Sequence, residues 1–207
     1  MPLKSPLELF ITLLYSNNKE KIEGVTRLIK MMFLLVKEGG FSQFEKELDF
    51  ESYHFGPWSA DVYLDYPKTL EEVGVIKIEE KESIELDVDE IYSSDVVELR
   101  EGKIKVFSLT QQGEKVGKVF FERLTEEEKR RIEEIKKKWN HASLNDLLNY
   151  VYFNYVKYTD RSKIREQIFS KLKVSSSLID LVGIIPPISL EEEKEFIRKV
   201  IREKMIK

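Results

Sequence analysis

The stretch that decides the fold is YHFGPWSADVYLDYPKTLEEVGVI, residues 53–76. Phe55–Trp58 has the glycine and proline of a turn, and Ser59 is a residue type that caps helix N-termini. Apolar side chains then recur at helical spacing as far as Gly74, where a helix is expected to end. Val75-Ile76 begins a strand-like run. The stretch therefore predicts a turn, a helix and the start of a strand.

Pro67 lies inside this predicted helix, which we call the third helix (Trp58 to Val73). Proline has no backbone N–H, and its ring clashes with the carbonyl four residues earlier, which is that of Tyr63. We therefore expect the third helix to kink or to split into two short pieces at Pro67. We also expect it to lie on the surface, beside the hairpin that follows it.

Two helices are predicted before this stretch. Ser5-Pro6-Leu7-Glu8 combines a capping-box pattern with proline at the first helical position, which predicts a helix from about Ser5 to Tyr15. A second apolar face runs from Val25 to Val36 and stops at Gly39-Gly40, which predicts a second, buried helix. Phe41–Tyr53 has mixed character and predicts a connector.

A hairpin with a long tip is predicted after the third helix. The insertion Lys77–Lys103 alternates apolar and polar residues at 84–88 and contains a tight Glu101-Gly102 pair, and 103–109 has the pattern of a returning strand. Thr110 then begins another helix. We expect three of its apolar residues to face inward: Val116, Val119 and Phe120.

The part of the chain after the hairpin is predicted to be helical. Thr125 and Glu128 form a second capping-box pattern, which opens a charged helix, and Ser143 with Asp146 opens the next helix in the same way. The apolar stripe of that next helix consists of Leu144, Leu147, Leu148, Val151, Tyr152 and Tyr155.

The chain ends with a predicted rigid joint and a last helix. A short helix is expected around Ser162–Leu172, the Pro186-Pro187 pair favours an extended joint, and Ser189 with Glu192 caps the last helix. Because an isolated helix of this length is marginal in water, we expect its apolar side to dock onto the chain itself or onto a second copy in a homodimer. The docking residues are Phe196, Ile197, Val200 and Ile201.

The composition describes a globular chain without cysteine chemistry. The 207 residues are 42% hydrophobic and 35% charged, and no apolar run is long enough to cross a bilayer. The absence of cysteine excludes disulfides, thiolate nucleophiles and sulfur-ligated metals. With no signal-peptide pattern at the N-terminus, a cytoplasmic location is expected. The abundance of Lys, Glu and Ile is typical of proteins from hot environments.

Net charge changes sign at about residue 124. Residues 1–124 carry 16 Lys and Arg against 24 Asp and Glu, a net charge of -8, and residues 125–207 carry 18 against 14, a net charge of +4. The order helix, helix, helix, hairpin is that of a winged helix. We therefore predict an α+β, mainly α fold. It has a winged-helix-like domain at 5–124, with a β-hairpin wing, and a helical C-terminal region at 125–207.

Three segments resemble, in this order, the Panacea or SocA-like antitoxin family and its YwgA-like relatives. They are TRLIKMMFLL (26–35), the stretch at 53–76 and FSLTQQGEKV (107–116); LNDLLNYVYFNYVKYTDRSKI (144–164) is similar to the tail of archaeal members. The resemblance implies a non-enzymatic regulator that acts by binding a partner protein. The family's aromatic-x-Gly-Pro-aromatic-Ser turn is our candidate partner-binding site, made of Phe55, Gly56, Pro57, Trp58 and Ser59.

The charges of this chain decide against its leading rival, a winged-helix transcription regulator that binds DNA. DNA affinity comes largely from Lys and Arg that neutralise phosphates. The third helix carries four acids against one lysine, net -3, and the insertion Lys77–Lys103 carries ten against four basic residues, net -6. DNA binding therefore rests on fold analogy alone. Its candidate residues are Lys19, Lys21, Arg27, Lys30 and Lys68.

A basic run at Arg130, Arg131 and 136–138 is interspersed with acids and favours pairing along a solvent-facing helix.

No motif predicts catalysis, a metal or a cofactor. His54 and His141 are far apart in sequence, and the closest set of acids, at 87–90, lacks the glycine spacing of a calcium loop. The chain also has no phosphate-binding glycine loop and no nucleophile elbow. An enzyme with a carboxylate site is the third alternative. Three further aromatic residues are candidates for an interface: Tyr150, Phe153 and Tyr158.

Overall fold

The computed structural model describes residues 2–83, 102–166 and 168. These residues form a mainly helical fold with small antiparallel sheets. The α-helices are α1 (Pro6–Lys19), α2 (Val25–Lys37), α3 (Glu45–Leu48), α4 (Tyr66–Glu72), α5 (Gln111–Glu122), α6 (Glu126–His141) and α7 (Leu144–Asn154). The strands are β1 (Ile22–Glu23), β2 (Glu51–Tyr53), β3 (Gly56–Trp58), β4 (Ile76–Ser83) and β5 (Gly102–Leu109).

The predicted hairpin is confirmed at its base. β4 and β5 pair antiparallel from Ile76 opposite Leu109 to Ser83 opposite Gly102. Residues 84–101, which carry the predicted tip, lie outside the described residues. The sheet also has a strand that the sequence did not predict, because β1 pairs with β5 through Ile22 opposite Phe107. The strand order is therefore β1-β5-β4.

Most of the segment Phe55–Trp58, which was predicted to be a turn, is a strand of a second, two-stranded sheet. β2 and β3 pair antiparallel, with Tyr53 opposite Gly56. Gly56 has a φ of 85°, a conformation that favours glycine. A Cβ atom there would also lie 3.0 Å from the ring of Tyr152. Gly56 therefore lies at the tip of a short hairpin that approaches α7 closely.

Helix starts follow the predicted capping residues. Ser5 accepts a hydrogen bond from the backbone N–H of Glu8, and Ser143 does the same for Asp146. At Thr125 both bonds of a capping box form, since the Glu128 carboxylate also accepts from the Thr125 backbone N–H. These predictions are confirmed because a cap involves residues only three positions apart.

The third helix begins after Trp58, which lies in β3 rather than in the helix. Asp65 and Tyr66 keep helical φ and ψ, so in place of the predicted kink or split the helix changes its hydrogen-bonding pattern ahead of Pro67. Asp61–Asp65 is a π-helical turn, in which the N–H of Tyr66 donates to the carbonyl of Asp61, five residues back. The α-helical part, α4, then begins at Tyr66 with proline in its first turn. The change falls just before proline removes a donor, which is a usual cause of such irregularities.

One continuous core runs through both predicted regions. α2 lies at its centre and is buried from Val25 to Val36. Ile132 and Trp139 of α6 and Leu147 of α7 belong to the same cluster of buried side chains as α1 and α2. The boundary predicted at residues 124 and 125 therefore marks a change in composition, and the two sides share one core.

Two further outcomes concern α5 and the C-terminal end. Val119 does not face inward as predicted, because its side chain is about half exposed, whereas Val116 and Phe120 pack against the core. The predicted last helix and the Pro186-Pro187 joint lie outside the described residues, so their docking stays a prediction. Within the described part of the chain, no helix is long and apolar enough to span a membrane.

We expect Thr125→Ala to lower the free energy of unfolding by about 1 kcal/mol, because the hydroxyl that caps α6 is lost. Urea unfolding at neutral pH measures the change. Thr69→Ala is the matched control, since Thr69 is exposed on α4, and it should change stability by less than about 0.5 kcal/mol. Equal effects at the two positions would show that the cap contributes nothing.

Candidate functional site

Four aromatic side chains form a continuous row on the surface, which we call the aromatic row: His54, Tyr53, Trp58 and Tyr63. The ring centroids are 4.2 Å apart for His54 and Tyr53, 5.1 Å for Tyr53 and Trp58, and 5.9 Å for Trp58 and Tyr63. The two longer distances lie within the range in which aromatic pairs attract each other, and the His54 and Tyr53 rings are stacked. The row therefore holds its rings in a defined arrangement.

The β2–β3 hairpin and the π-helical turn position these rings. Trp58 lies opposite Glu51 across the hairpin, and Tyr53 is two residues further along β2, so their side chains share one face. Tyr63 follows on the π-helical turn, with Leu64 next to it. Tyr53 and Tyr63 are each 41% exposed and Leu64 is 57% exposed. Large apolar side chains are thus offered to solvent along a short surface.

Hydrogen bonds fix the hairpin to the body of the protein. The ammonium group of Lys30, on the buried helix α2, donates to the carbonyl of Pro57 at 2.8 Å. On the other side of the hairpin, the backbone N–H of Lys163 donates to the carbonyl of His54, and that of Arg161 donates to the Ser52 hydroxyl, each at 3.0 Å. The aromatic row therefore stands on a scaffold that is braced from both sides.

The predicted partner-binding residues turn out to be mostly interior. Phe55, Gly56 and Pro57 are buried, and only Trp58 of that set belongs to the exposed row. Their role is to support the row, because they carry the contacts to α2 and α7. The sequence did not single out the exposed large side chains beside them, which are Tyr53, Tyr63 and Leu64. Their signal in the sequence was an aromatic residue every five positions, at 53, 58 and 63.

Ser59 does not act as the predicted helix cap. Its side chain is 2% exposed, and its hydroxyl has no hydrogen-bond partner among the described residues. A buried hydroxyl without a partner costs about 1–3 kcal/mol. The Ser59 hydroxyl is thus buried and does not make the capping hydrogen bond that the sequence predicted.

Charged side chains of opposite sign flank the two ends of the aromatic row. Asp61 and Asp65 lie on the π-helical turn that carries Tyr63. Partial burial, followed by the nearby charge of Asp65 and a hydrogen bond to it, raises the pKa of Asp61 above its ordinary value. At the His54 end, the side chains of Arg161 and Lys163 are exposed.

The basic residues proposed for DNA binding do not form a surface patch. Arg27 and Lys30 are buried, with 8% and 2% exposed. Lys19 pairs with Glu114 at 2.9 Å and Lys21 with Glu79 at 3.1 Å, whereas Lys68 is exposed on α4. The five candidates are therefore divided between the core (Arg27 and Lys30), the segment from the end of α1 to β1 (Lys19 and Lys21) and the third helix (Lys68).

Within the basic run of α6, Arg130 and Arg131 are paired inside their own helix, as expected. Arg130 pairs with Glu127 and Glu134 at 2.8 Å each. Lys136 is an exception to the predicted surface run, because it is fully buried. Its ammonium group donates to the carbonyls of Leu14 and Ser16, near the C-terminal end of α1.

A cleft of about 640 Å³ lies between β1 and the junction of α6 and α7. The acids on its wall have close partners: His141 lies 3.2 Å from Glu20, and Lys81 lies 2.8 Å from Glu23. Arg27 donates to the carbonyl of Ala142 at 2.7 Å. These contacts tie β1, α2, α6 and the β4–β5 hairpin together around the cleft.

Two of the remaining candidates, Tyr150 and Tyr158, make contacts within the chain. The hydroxyls of Tyr150 and Tyr155 both donate to the Glu38 carboxylate, and Tyr158 packs edge-on against Phe33. Of the α7 aromatic residues proposed for an interface, only Phe153 is about half exposed. The acids at 87–90 lie outside the described residues. Elsewhere in the described chain, no three His, Asp or Glu side chains are grouped to hold a metal ion.

Comparison with known proteins adds no relative to this picture. The chain matches no family model, no curated protein and no solved structure.

Proposed function

We propose that the protein is a non-enzymatic regulatory protein of the SocA-like antitoxin type, which acts by binding a protein partner through the aromatic row. The observation that carries this proposal is the row itself, with Tyr53 and Tyr63 each 41% exposed on a braced hairpin and helix. Tyr and Trp dominate the binding energy of protein interfaces, since they offer large apolar area with few rotatable bonds. Such a surface suits recognition of a folded or extended polypeptide.

The same proposal includes a winged-helix-like domain. Its support is the element order α1, β1, α2, third helix, β4, β5, together with the position of β1 beside β5. In this arrangement the aromatic row begins on the hairpin that precedes the third helix and ends on that helix. The face that a DNA-binding winged helix turns to the major groove would here present Tyr63, Leu64 and acids.

A DNA-binding transcription regulator is the weaker proposal. It would need several basic side chains near the third helix, and Arg27 and Lys30 are buried. Lys19 and Lys21 each pair with a glutamate. The exposed carboxylates of the third helix would repel phosphate. The partner-binding proposal therefore has the stronger physical support.

We expect the double variant Tyr53→Ser, Tyr63→Ser to lose about 10- to 100-fold in partner affinity, because two exposed anchors of the row are removed. The partner is first captured from a lysate of the source cells with immobilised protein and identified by mass spectrometry. Calorimetric titration with the purified partner then measures the change in affinity.

The matched control for this experiment is Val119→Ser, Phe153→Ser. Both side chains are exposed apolar residues outside the row, so their replacement should leave partner affinity within about twofold. Circular dichroism establishes that both double variants fold. Equal loss of affinity in the two double variants, or none in either, would contradict binding through the aromatic row.

The isolated protein is expected to bind generic duplex DNA weakly or not at all at physiological salt. Each phosphate neutralised by Lys or Arg contributes a slope of roughly 0.9 to the dependence of affinity on salt, and few exposed basic side chains lie near the third helix. Titration of labelled duplex at two salt concentrations measures both affinity and slope. The DNA-binding proposal would become the stronger one if the wild-type protein bound duplex tightly with a steep salt dependence. The double variant Lys19→Glu, Lys21→Glu would then have to abolish that binding.

A further inference from the structure

The aromatic row separates charges of opposite sign. The order of the row runs from His54 through Tyr53 and Trp58 to Tyr63, as the ring distances establish. Arg161 and Lys163 adjoin the beginning of the row, because their backbone N–H groups donate to Ser52 and His54 of the hairpin.

The opposite end of the row is acidic. Tyr63 lies within the π-helical turn Asp61–Asp65, which has a carboxylate at each end. At the basic end, the charge of Asp160 is matched inside the chain by Arg165, at 3.1 Å. Arg161 and Lys163 therefore give that end its positive character, and the surface is positive, then aromatic, then negative in the order of the row.

A surface with this sequence of properties is complementary to a copy of itself. When two copies meet about a twofold axis through the middle of the row, the basic end of each faces the acidic end of the other, and the aromatic rings meet in the centre. Neither a uniformly acidic nor a uniformly basic surface has this property, because like charges would then oppose each other.

We propose that the aromatic row is a homodimer interface, in which Arg161 and Lys163 of each copy face Asp61 and Asp65 of the other. The dimer covers the surface that the proposed function assigns to a protein partner. Self-association and partner binding therefore exclude each other. This competition rests on the proposed function, whereas the dimer itself does not. The partner therefore binds only the monomer.

The size of the surface makes this dimer weak. Stable interfaces bury about 800 Å² on each partner, and four partly buried rings with one leucine supply only part of that area. Glu51 lies on the same face of the hairpin as Trp58. In the dimer its carboxylate would lie near the middle of the interface, close to the Glu51 carboxylate of the other copy, and this repulsion weakens the dimer. We therefore expect a dissociation constant on the order of tens of micromolar, which rises with salt.

Sedimentation equilibrium of the full chain tests the dimer without any partner. The average mass should rise from the monomer mass of 24.5 kDa toward twice that value across the micromolar range. Arg161→Glu, Lys163→Glu should weaken dimerisation at least about tenfold, because like charges then oppose each other, and Asp61→Lys, Asp65→Lys should do the same. An equimolar mixture of the two double variants should dimerise again, since their charges are complementary.

Restored dimerisation in the mixture, but in neither double variant alone, supports the proposal. A wild-type chain that stays monomeric throughout overturns it. A dimer that both charge reversals leave intact also overturns it, because another surface must then hold the copies together. Tyr53→Ser, Tyr63→Ser keeps the test decisive if a charge reversal prevents folding, since it too must weaken the wild-type dimer. Loss of partner binding is measured separately by calorimetry, so failure of the dimer does not count against the proposed function.

Discussion

The wild-type protein should gain about 2–3 kcal/mol in free energy of unfolding relative to Lys136→Met when the pH rises from 7 to 9.5. Burial lowers the pKa of Lys136 from 10.5 to about 7, and the charge of Glu20 only partly offsets this effect. The unfolded chain therefore binds this proton below pH 10.5, whereas the folded chain binds it only below about pH 7. Between these values the unfolded state holds more protons, so stability increases with pH.

The contacts of Lys136 explain why a neutral amine suits this position. A neutral amine has two N–H donors, and two carbonyl oxygens, those of Leu14 and Ser16, lie 2.9 and 2.8 Å from the nitrogen. Urea unfolding at several pH values measures the effect. Lys136→Met removes the titrating group and keeps the side-chain length, so the titration of all other groups cancels in the difference. Parallel stability curves for the two proteins would refute the lowered pKa.

Gly113→Ala should lower the free energy of unfolding by about 3 kcal/mol or more. A Cβ atom at this position would lie 2.0 Å from the carbonyl oxygen of Val75. That oxygen accepts hydrogen bonds from the backbone N–H and the hydroxyl of Thr110, at 3.1 and 3.2 Å, so it cannot move aside without breaking both. The close approach of α5 to the residue before β4 therefore requires glycine.

The sign of this effect is itself informative. Inside an exposed helix, replacing glycine by alanine stabilises by about 1 kcal/mol, because alanine has the higher helix propensity. Gln112→Ala, at the exposed neighbouring position, serves as the control and should stay within about 0.5 kcal/mol of wild type. Thermal unfolding of the three proteins measures the changes. A Gly113→Ala protein as stable as wild type would show that α5 does not approach Val75 so closely.

Signals that act over a few residues were sufficient for most helix boundaries. Ser5, Thr125 and Ser143 were recognisable as N-caps because the amide that each one binds is three residues away in the sequence. Pro67 changed the hydrogen-bonding pattern of the third helix for an equally local reason, its missing N–H. The base of the β4–β5 hairpin followed from the strand-like start at Val75-Ile76 and the pattern of the returning strand at 103–109.

Two short strands that are defined by their pairing partners were missed. β1 is only two residues long, and it is a strand because Ile22 pairs with Phe107, far along the chain. β2 was assigned to a connector because its three residues have no alternation long enough to recognise. In both cases the pairing partner, rather than the strand's own sequence, defines the element.

The sequence by itself determined the helix caps, the hairpin and the acidic character of the third helix. Only the tertiary structure decided which basic residues are exposed. Arg27, Lys30 and Lys136 look like surface residues in the sequence, yet each is buried and donates to backbone carbonyls of another element. Those carbonyls lie at the end of a helix or on the β2–β3 hairpin, and chain packing alone brings a long basic side chain to them. The aromatic row has the same origin, since a hairpin and a π-helical turn align its rings.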